Sequence, residues 1–257
     1  MGFSADWLAL REPADHAARD PSLLSAAADA AGLKPVIVDL GCGTGSTIRA
    51  FAGHLAAPAS WRLVDNDPEL LTIAADAAGQ RATTHRIDLR DLDSLPLEGA
   101  SLVTASALLD LCSRNWVARL AERLSAYGLP FYAALNYDGI MRWSPADTHD
   151  AAVTLAFNRH QRGDKGFGPA LGPDAAAVIA EVFGAAGYDI VEADSPWRLT
   201  KNHAALQREL VQGIAQAAHE AGESAAKTWA AARTSAADTA ICHIGHRDLL
   251  ALPKGTA

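Results

Sequence analysis

Val36-Ile37-Val38-Asp39-Leu40-Gly41-Cys42-Gly43-Thr44-Gly45-Ser46 runs from a block of β-branched residues into three glycines at alternate positions. A short apolar block without charge reads as a strand buried on both faces, the kind found in the parallel sheets of α/β proteins. Gly41, Gly43 and Gly45 then allow a sharp turn with positive φ and leave no side chain to hold a ligand away from the backbone. A helix is expected from Ser46 to His54, so the amide groups of its first turn face whatever the glycines hold. The spacing excludes one reading. A dinucleotide turn of the form G-x-G-x-x-G needs its third glycine at position 46, which is Ser.

With Asp39 two residues ahead of the first glycine, the stretch resembles motif I of the class I S-adenosylmethionine-dependent methyltransferases, and the resemblance continues in order to residue 136. Trp61-Arg62-Leu63-Val64 is a second apolar strand ending in Asp65, after which Asp67-Pro68-Glu69 opens an amphipathic helix with Pro in its first turn. In the family an acid at this point grips both ribose hydroxyls. The resemblance gives that place to Asp65, with Asn66 beside it; each charge-assisted bond is worth about 1.5–3 kcal/mol. Asp67 competes for the role but already suits a helix N-cap.

Arg86-Ile87-Asp88-Leu89, then Leu95-Pro96 and a strand over 100–105, is similar to the next family checkpoint. There the acid accepts from the adenine amine and the following amide reads a ring nitrogen. Asp88 and Leu89 match those places, with Asp91 and Asp93 near enough to be confused with them. Ala105-Ser106-Ala107-Leu108-Leu109-Asp110-Leu111 matches the family's backbone floor under the methionine part, without the Asn/Asp-Pro-Pro-Tyr/Phe of enzymes that methylate nucleic-acid bases or glutamine. A helix over 115–126, Gly128 and a fifth strand over 129–135 complete the series. The resemblance implies S-adenosyl-L-methionine as cofactor, held by Asp39, Gly41, Cys42, Gly43, Gly45, Asp65, Asn66, Asp88, Leu89, Ala105 and Ser106. It also implies an α/β fold with a doubly wound, mostly parallel, seven-stranded Rossmann-like sheet.

The 257 residues, 49% of them apolar, are enough for one α/β core with helical additions. A net charge of -8 without any Lys/Arg-rich run disfavours a nucleic-acid partner, so a small-molecule or protein acceptor fits better. Cys42, Cys112 and Cys242 are odd in number and widely spaced, which argues against a disulfide framework and a zinc site and points to a reducing cytoplasm; no metal is expected. Met1 to Asp20 mixes both charges and does not read as a signal peptide, and no apolar stretch approaches the ~18 residues of a membrane span.

The chain reads as a single domain, 1–257, with an N-terminal helical lid at 1–34, a cofactor-binding half at 35–136, an acceptor cap at 137–173 and a C-terminal half at 174–257. The lid is read as two or three short helices, with Arg11, Asp15 and Arg19 on one face if Pro13 leaves them continuous. Trp7, Arg11 or Arg19 is placed to contact the cofactor, or the three charges form a surface ladder. The cap is too long for an ordinary connection and carries Tyr137, Asp138, Arg142, Trp143, His149, Asn158, His160, Gln161 and Phe167. A helix is expected over 154–162 and a flexible loop over 163–169. Alanine-rich helices over 201–221 and 223–235 delay the last strand, within 239–252. This insertion, about 200–236, either roofs the acceptor site, forms a homodimer interface, or does both.

In-line methyl transfer needs positioning more than any covalent enzyme group, and positioning can contribute ~7–11 kcal/mol. A hydroxyl or protonated nitrogen acceptor also needs a base, for which His160, Tyr137 and Asp138 are the catalytic candidates, with His149 beside them. Two alternatives stand next to a methyltransferase of small molecules. A nicotinamide-dependent oxidoreductase is disfavoured by Ser46 and by the later acid Asp88, and a non-catalytic S-adenosylmethionine-binding scaffold is disfavoured by an intact motif I.

Overall fold

A computed structural model describes residues 3–255; the outermost residues of the predicted domain, 1–2 and 256–257, lie outside the described residues. The elements in chain order are α1 (Ala5–Ala18), α2 (Pro21–Ala30), β1 (Val36–Leu40), α3 (Ser46–Ala50), β2 (Ser60–Asp65), α4 (Pro68–Ala78), β3 (Ala82–Arg86), β4 (Leu102–Ser106), α5 (Arg114–Ala126) and β5 (Phe131–Ser144). They continue with α6 (Asp150–Gln161), α7 (Ala175–Ala185), β6 (Tyr188–Asp194), β7 (Trp197–Leu199), α8 (Ala204–Glu220), α9 (Ala226–Ala236) and β8 (Ile241–Pro253). One sheet runs β3-β2-β1-β4-β5-β8-β6, and β7 adds to the first half of β8. The pairs from β3 to β5 are parallel and β8 is antiparallel to both of its neighbours. This is the doubly wound class I methyltransferase architecture with one short strand more than the seven expected.

Alternation along β1 sends Ile37 to one face and Val38 to the other, as a pleated strand requires. On one side the buried stripes of α5 (Trp116, Val117, Leu120) and α7 (Ile179, Phe183) cover Val38, Val103 and Phe131. On the other, α2 (Leu23, Leu24, Ala27) and α4 (Leu71, Ala74) cover Ile37, Leu63 and Leu102. Helix α4 starts as expected, with Asp67 as N-cap accepting from the amides of Glu69 and Leu70 and Pro68 at the first helical position.

The sequence underestimated several elements. The fifth strand continues past residue 135 to Ser144, so the segment read as an acceptor cap begins as sheet. The partner that makes this extension stable is distant in sequence: the first half of β8 pairs Ile241 with Ser144 and Ile244 with Met141. Two register breaks lie between Ala133 and Met141, and Leu135 adopts φ +57 at the first. β3 was implied by the strand count but not located, because Thr83, Thr84 and His85 give an edge strand no apolar signature. The lid has one helix, not two, over the first stretch. Pro13 lies inside α1 on an exposed position, where the backbone carbonyl it leaves unbonded meets water, while Ala14 and Asp15 on the other face are buried.

The projecting ends of β5 and β8 carry a third core. Trp143 and Ile244 meet Val153 and Ala156 of α6, Leu206, Val211 and Ile214 of α8, and Trp229 of α9. The apolar stripe of the insertion is thus covered within the chain.

Candidate active site

A cavity of about 390 Å³ opens at the carboxyl ends of β1, β2, β3 and β4, the usual ligand position in open α/β sheets. The glycine turn supplies Gly41, Cys42, Gly43 and Thr44; the end of β2 supplies Asp65, Asn66 and Asp67; the stretch after β3 supplies Ile87, Asp88, Leu89 and Arg90. Ser106, Ala107, Leu108 and Leu111 form the side under β4, and Ala107 takes φ +50 there. Two later segments close over it: α1 through Leu8, Arg11, Asp15 and Arg19, and the loop after α6 through Lys165, Gly166 and Phe167.

The turn is cut to hold backbone close to a ligand. Gly43 has φ +53, and a Cβ there would come within 3.1 Å of Leu8 of the lid; Gly45 has φ +83 and a Cβ there would press on Ala74 of α4. Asp65 binds the turn with part of its capacity, Oδ2 accepting from the Gly43 amide at 3.0 Å and Oδ1 from the Asp67 amide at 3.1 Å. A carboxylate has about four acceptor positions, so two remain for hydroxyl donors in the cavity. Asp88 also faces the cavity, but its carboxylate accepts from the Arg90 amide and guanidinium, which hold its pKa below the usual range. The carbonyl of Leu89 accepts from Trp116 Nε1 at 2.6 Å, which fixes this backbone against α5.

Asp39 does not line the cavity; it supports it from beneath. Its Oδ1 accepts from Thr104 at 2.7 Å and its Oδ2 has no hydrogen-bond partner among the described residues. Burial raises its carboxyl to about 6 against the pull of Thr104, Arg19 and Thr47. Ala105 is likewise buried behind the wall, whereas Ser106 reaches the cavity and accepts from Arg19 Nη2 at 2.8 Å. Arg19 is 5% exposed, and its Nε and Nη1 have no hydrogen-bond partner among the described residues. A buried guanidinium with unused donors facing a cavity is chemically unfinished, and a carboxylate would complete it.

Helix α1 is fastened across the site. Arg49 of α3 pairs with Glu12 and also donates to the Thr44 carbonyl, His16 Nε2 lies 3.1 Å from the Ser46 carbonyl, and Trp197 Nε1 donates to Asp15 at 2.9 Å. Burial pushes the Glu12 carboxyl upward, but the Arg49 guanidinium outweighs it and holds it low.

The three catalytic candidates lie outside the lining, Tyr137 and Asp138 adjacent on β5 and His160 on α6. Tyr137 is buried, and its hydroxyl donates to Asn158 at 2.8 Å. Asp138 accepts from the Ile140 amide and packs on the backbone of Gly245. His160 Nε2 is 2.9 Å from Glu220 of α8 and its Nδ1 is 3.1 Å from Lys165 Nζ, so it touches the cavity only through Lys165. His149 binds Asp147 at the start of α6, also away from the cavity. Two groups with chemistry were not singled out from sequence: Lys165, hidden in a loop read by its glycines, and Asp110, whose signal is a lone acid in the apolar run 107–111. Among the described residues no cluster of His, Cys, Asp and Glu suits a metal ion, and no helix is long and apolar enough to cross a membrane.

Residues 37–128 match a family model described as a methyltransferase domain. That match spans about a third of the chain, and the strand order with the cavity at the strand ends is that of the class I methyltransferase fold. No curated protein matches the chain at the level of sequence. Among solved structures the chain is similar to the cyclopropane synthase MmaA2 of Mycobacterium tuberculosis, with TM-score 0.54, 14% identity, and 97% of this chain and 94% of that one covered. It is also similar to the YcgJ protein of Bacillus subtilis, with TM-score 0.52, 12% identity and coverage of 92% and 100%. A third is the mycolic acid cyclopropane synthase CmaA1, solved with S-adenosylhomocysteine and CTAB, with TM-score 0.50, 11% identity and coverage of 90% and 83%. At such identities the likeness is one of fold.

Proposed function

We propose that the protein transfers the methyl group of S-adenosylmethionine to a small-molecule acceptor, in the cytoplasm. The observation that carries the cofactor placement is the matched set of polar groups in one cavity: the spare acceptor positions of Asp65, the Asp88-Leu89 edge, and the unpaired donors of Arg19. A ribose diol, an adenine amine and an amino-acid carboxylate answer these three in turn. Bound there, the donor supplies a methyl group on a sulfonium; the chain's own task is to hold, align and exclude water. Gly41, Cys42, Gly43 and Gly45 shape the turn, Asp39 braces it from below, Asn66 and Ser106 complete the walls, and Ala105 backs them from the core.

A small acceptor is supported by the covering of the cavity on two sides, by α1 and by the 163–169 loop, which leaves little width for a folded protein or a duplex. In this proposal His160 is a positioning residue. Its Nε2–H donates to Glu220, which leaves the Nδ1 lone pair to accept from the Lys165 ammonium and keep it at the cavity wall. Tyr137 and Asp138 act on the acceptor side by shaping β5 beyond its first bulge.

Calorimetry with S-adenosylhomocysteine on wild type and Asp65→Ala tests the cofactor placement. We expect roughly 100-fold weaker binding for the variant, two charge-assisted bonds to the ligand being lost, with the fold retained at a lowered thermal midpoint because the Gly43 and Asp67 amides lose their acceptor. An unchanged dissociation constant would refute the ribose role. Incubation of a cell extract with methyl-labelled donor tests the acceptor class: label is expected in the low-mass fraction, and label confined to protein or nucleic acid rejects the small-molecule reading.

A further inference from the structure

Asp110 sits in the turn that leaves β4, between Leu109 and Leu111, and its Oδ1 is shut off from solvent with no hydrogen-bond partner among the described residues. The charged and titratable groups that bear on it come from three elements: Arg11 of α1, Tyr137 of β5, and Cys112 on its own turn. Each is already committed. The Arg11 guanidinium gives Nε and Nη2 to Asp15 and lies over the Trp197 ring at 5.0 Å. The Tyr137 hydroxyl donates to Asn158, and the Cys112 thiol faces the Leu108 carbonyl. His246, opposite Tyr137 on β8, is pushed down to about 3 by burial, by Arg11 and by His243, so it supplies no cation. Among the described residues nothing donates to this oxygen.

The residues on either side of Asp110 say where a donor would come from. Leu111 beside it and Leu108 two residues before it line the same cavity as Asp65 and Arg19, and so does Arg11, whose charge acts on Asp110 from the lid; Asp110 itself stands just outside that lining. A buried carboxylate oxygen without a donor is unfavourable in the protein alone and is expected at a site whose ligand supplies the missing hydrogen.

We propose that Asp110 binds the methyl acceptor through an N–H or O–H on its nucleophilic atom and takes that proton, so that the acceptor class is a small amine or alcohol. This rests on the reading of the cavity as the S-adenosylmethionine site. As the acceptor heteroatom forms its bond to the methyl carbon, the electron pair of the sulfonium–methyl bond stays on sulfur. The proton of the heteroatom passes to Oδ1 of Asp110, leaving a neutral carboxyl and S-adenosylhomocysteine. Burial, opposed by the backbone and by Arg11, raises the Asp110 carboxyl to about 6, which keeps it ionised at neutral pH yet basic enough to receive a proton. An acceptor that reacts through a carboxylate would set two anions side by side, and the same oxygen would reject it.

Sinefungin, which carries a primary amine where the sulfonium methyl stands, probes this point without an identified acceptor. Dissociation constants for sinefungin and S-adenosylhomocysteine are measured by calorimetry on the full chain, wild type and Asp110→Asn. The expected result is sinefungin binding weakened roughly tenfold or more in the variant, with S-adenosylhomocysteine binding unchanged. Equal changes for both compounds in a folded variant overturn the assignment. A second measurement needs no variant: in wild type, the ratio of the sinefungin constant to the S-adenosylhomocysteine constant should rise as the pH falls through about 6, where Asp110 is neutralised. A ratio flat from pH 5 to 8 overturns the assignment whatever the fate of the variant. If S-adenosylhomocysteine itself does not bind, the cofactor reading falls and this assignment falls with it; if it binds and the ratio is flat, only the assignment falls.

Discussion

Arg19 shows how much of a site can turn on one side chain. It lies within a buried environment, holds Ser106 with one nitrogen and leaves two nitrogens unpaired, so its guanidinium is costly in the protein alone and useful to an anionic tail. Arg19→Met should therefore weaken S-adenosylhomocysteine binding roughly 10- to 100-fold, the range for losing a charged bidentate partner. Binding of 5′-methylthioadenosine, which has the nucleoside but no amino-acid tail, should be untouched, and an equal loss for both compounds would place Arg19 elsewhere. Asp39 makes a prediction about pH. Its folded-state pKa lies near 6, above that of an unfolded Asp, so the native state binds more protons between about pH 4 and 6 and stability falls as pH rises through that window. Asp39→Asn removes the dependence, and its stability relative to wild type should improve by on the order of 2–3 kcal/mol between pH 4 and pH 7.5 in denaturant titrations. A difference constant across that range would show that Asp39 is not buried as a raised-pKa acid. At this scale the sequence revealed the groups that touch a cofactor and concealed those that touch an acceptor. Asp65 and Asp88 are tied to strand ends by short spacing and Arg19 was one of three lid residues offered to the cofactor, whereas Asp110 acquires meaning only through what fails to bond to it in three dimensions.

Among the elements, α1 has the most direct bearing on ligand exchange. It is a helix laid over the cavity and held by polar ties to α3 and to the end of β4: Glu12 to Arg49, His16 to Ser46, and Arg19, just past its last turn, to Ser106. A helix so held must lift or slide for a buried nucleoside to enter. Glu12→Gln removes the ionic half of the main tie, and amide hydrogen exchange over 5–18 in the free protein should quicken several-fold while exchange in β1 and β4 stays constant. The dissociation rate of S-adenosylhomocysteine, followed by stopped flow, should rise in parallel. No change in either rate means that entry uses the 163–169 loop alone. The continuity of α1 was not legible, since Pro13 argues locally against it and only the burial of Ala14 and Asp15 against the sheet end outweighs that preference. β3 was hidden for the opposite reason: a polar edge strand needs no apolar alternation, and its register is set by β2.

For the whole molecule the largest departure from a plain seven-stranded sheet is the projection of β5 and β8 with α6, α8 and α9 packed on it. Local signals in 197–240 told of two alanine-rich helices but not of where they dock, because the docking surface is made by strand extensions whose pairing partners are 97 to 103 residues apart, from Ser144 with Ile241 to Met141 with Ile244. The third core is centred on a polar clamp. Arg233, with 3% of its side chain exposed, pairs with Asp150 at the start of α6, donates to the Pro145 carbonyl at 2.8 Å and lies 5.2 Å from the Trp143 ring; Trp229 Nε1 donates to the same Asp150. Removing one partner of a buried pair strands the other, which typically costs about 3–5 kcal/mol. Arg233→Met should lower the thermal midpoint by on the order of 10 °C for a chain of this size. The exposed pair Arg114–Glu181 is the control, and Arg114→Ala should leave the midpoint in place. Because the cofactor cavity is built on the opposite portion of the sheet, Arg233→Met measured below its own transition should still bind S-adenosylhomocysteine with wild-type affinity. A combined loss of stability and cofactor affinity would mean that the third core and the glycine turn form one cooperative unit, coupled through the Trp197–Asp15 bond that joins the insertion's entrance to the lid.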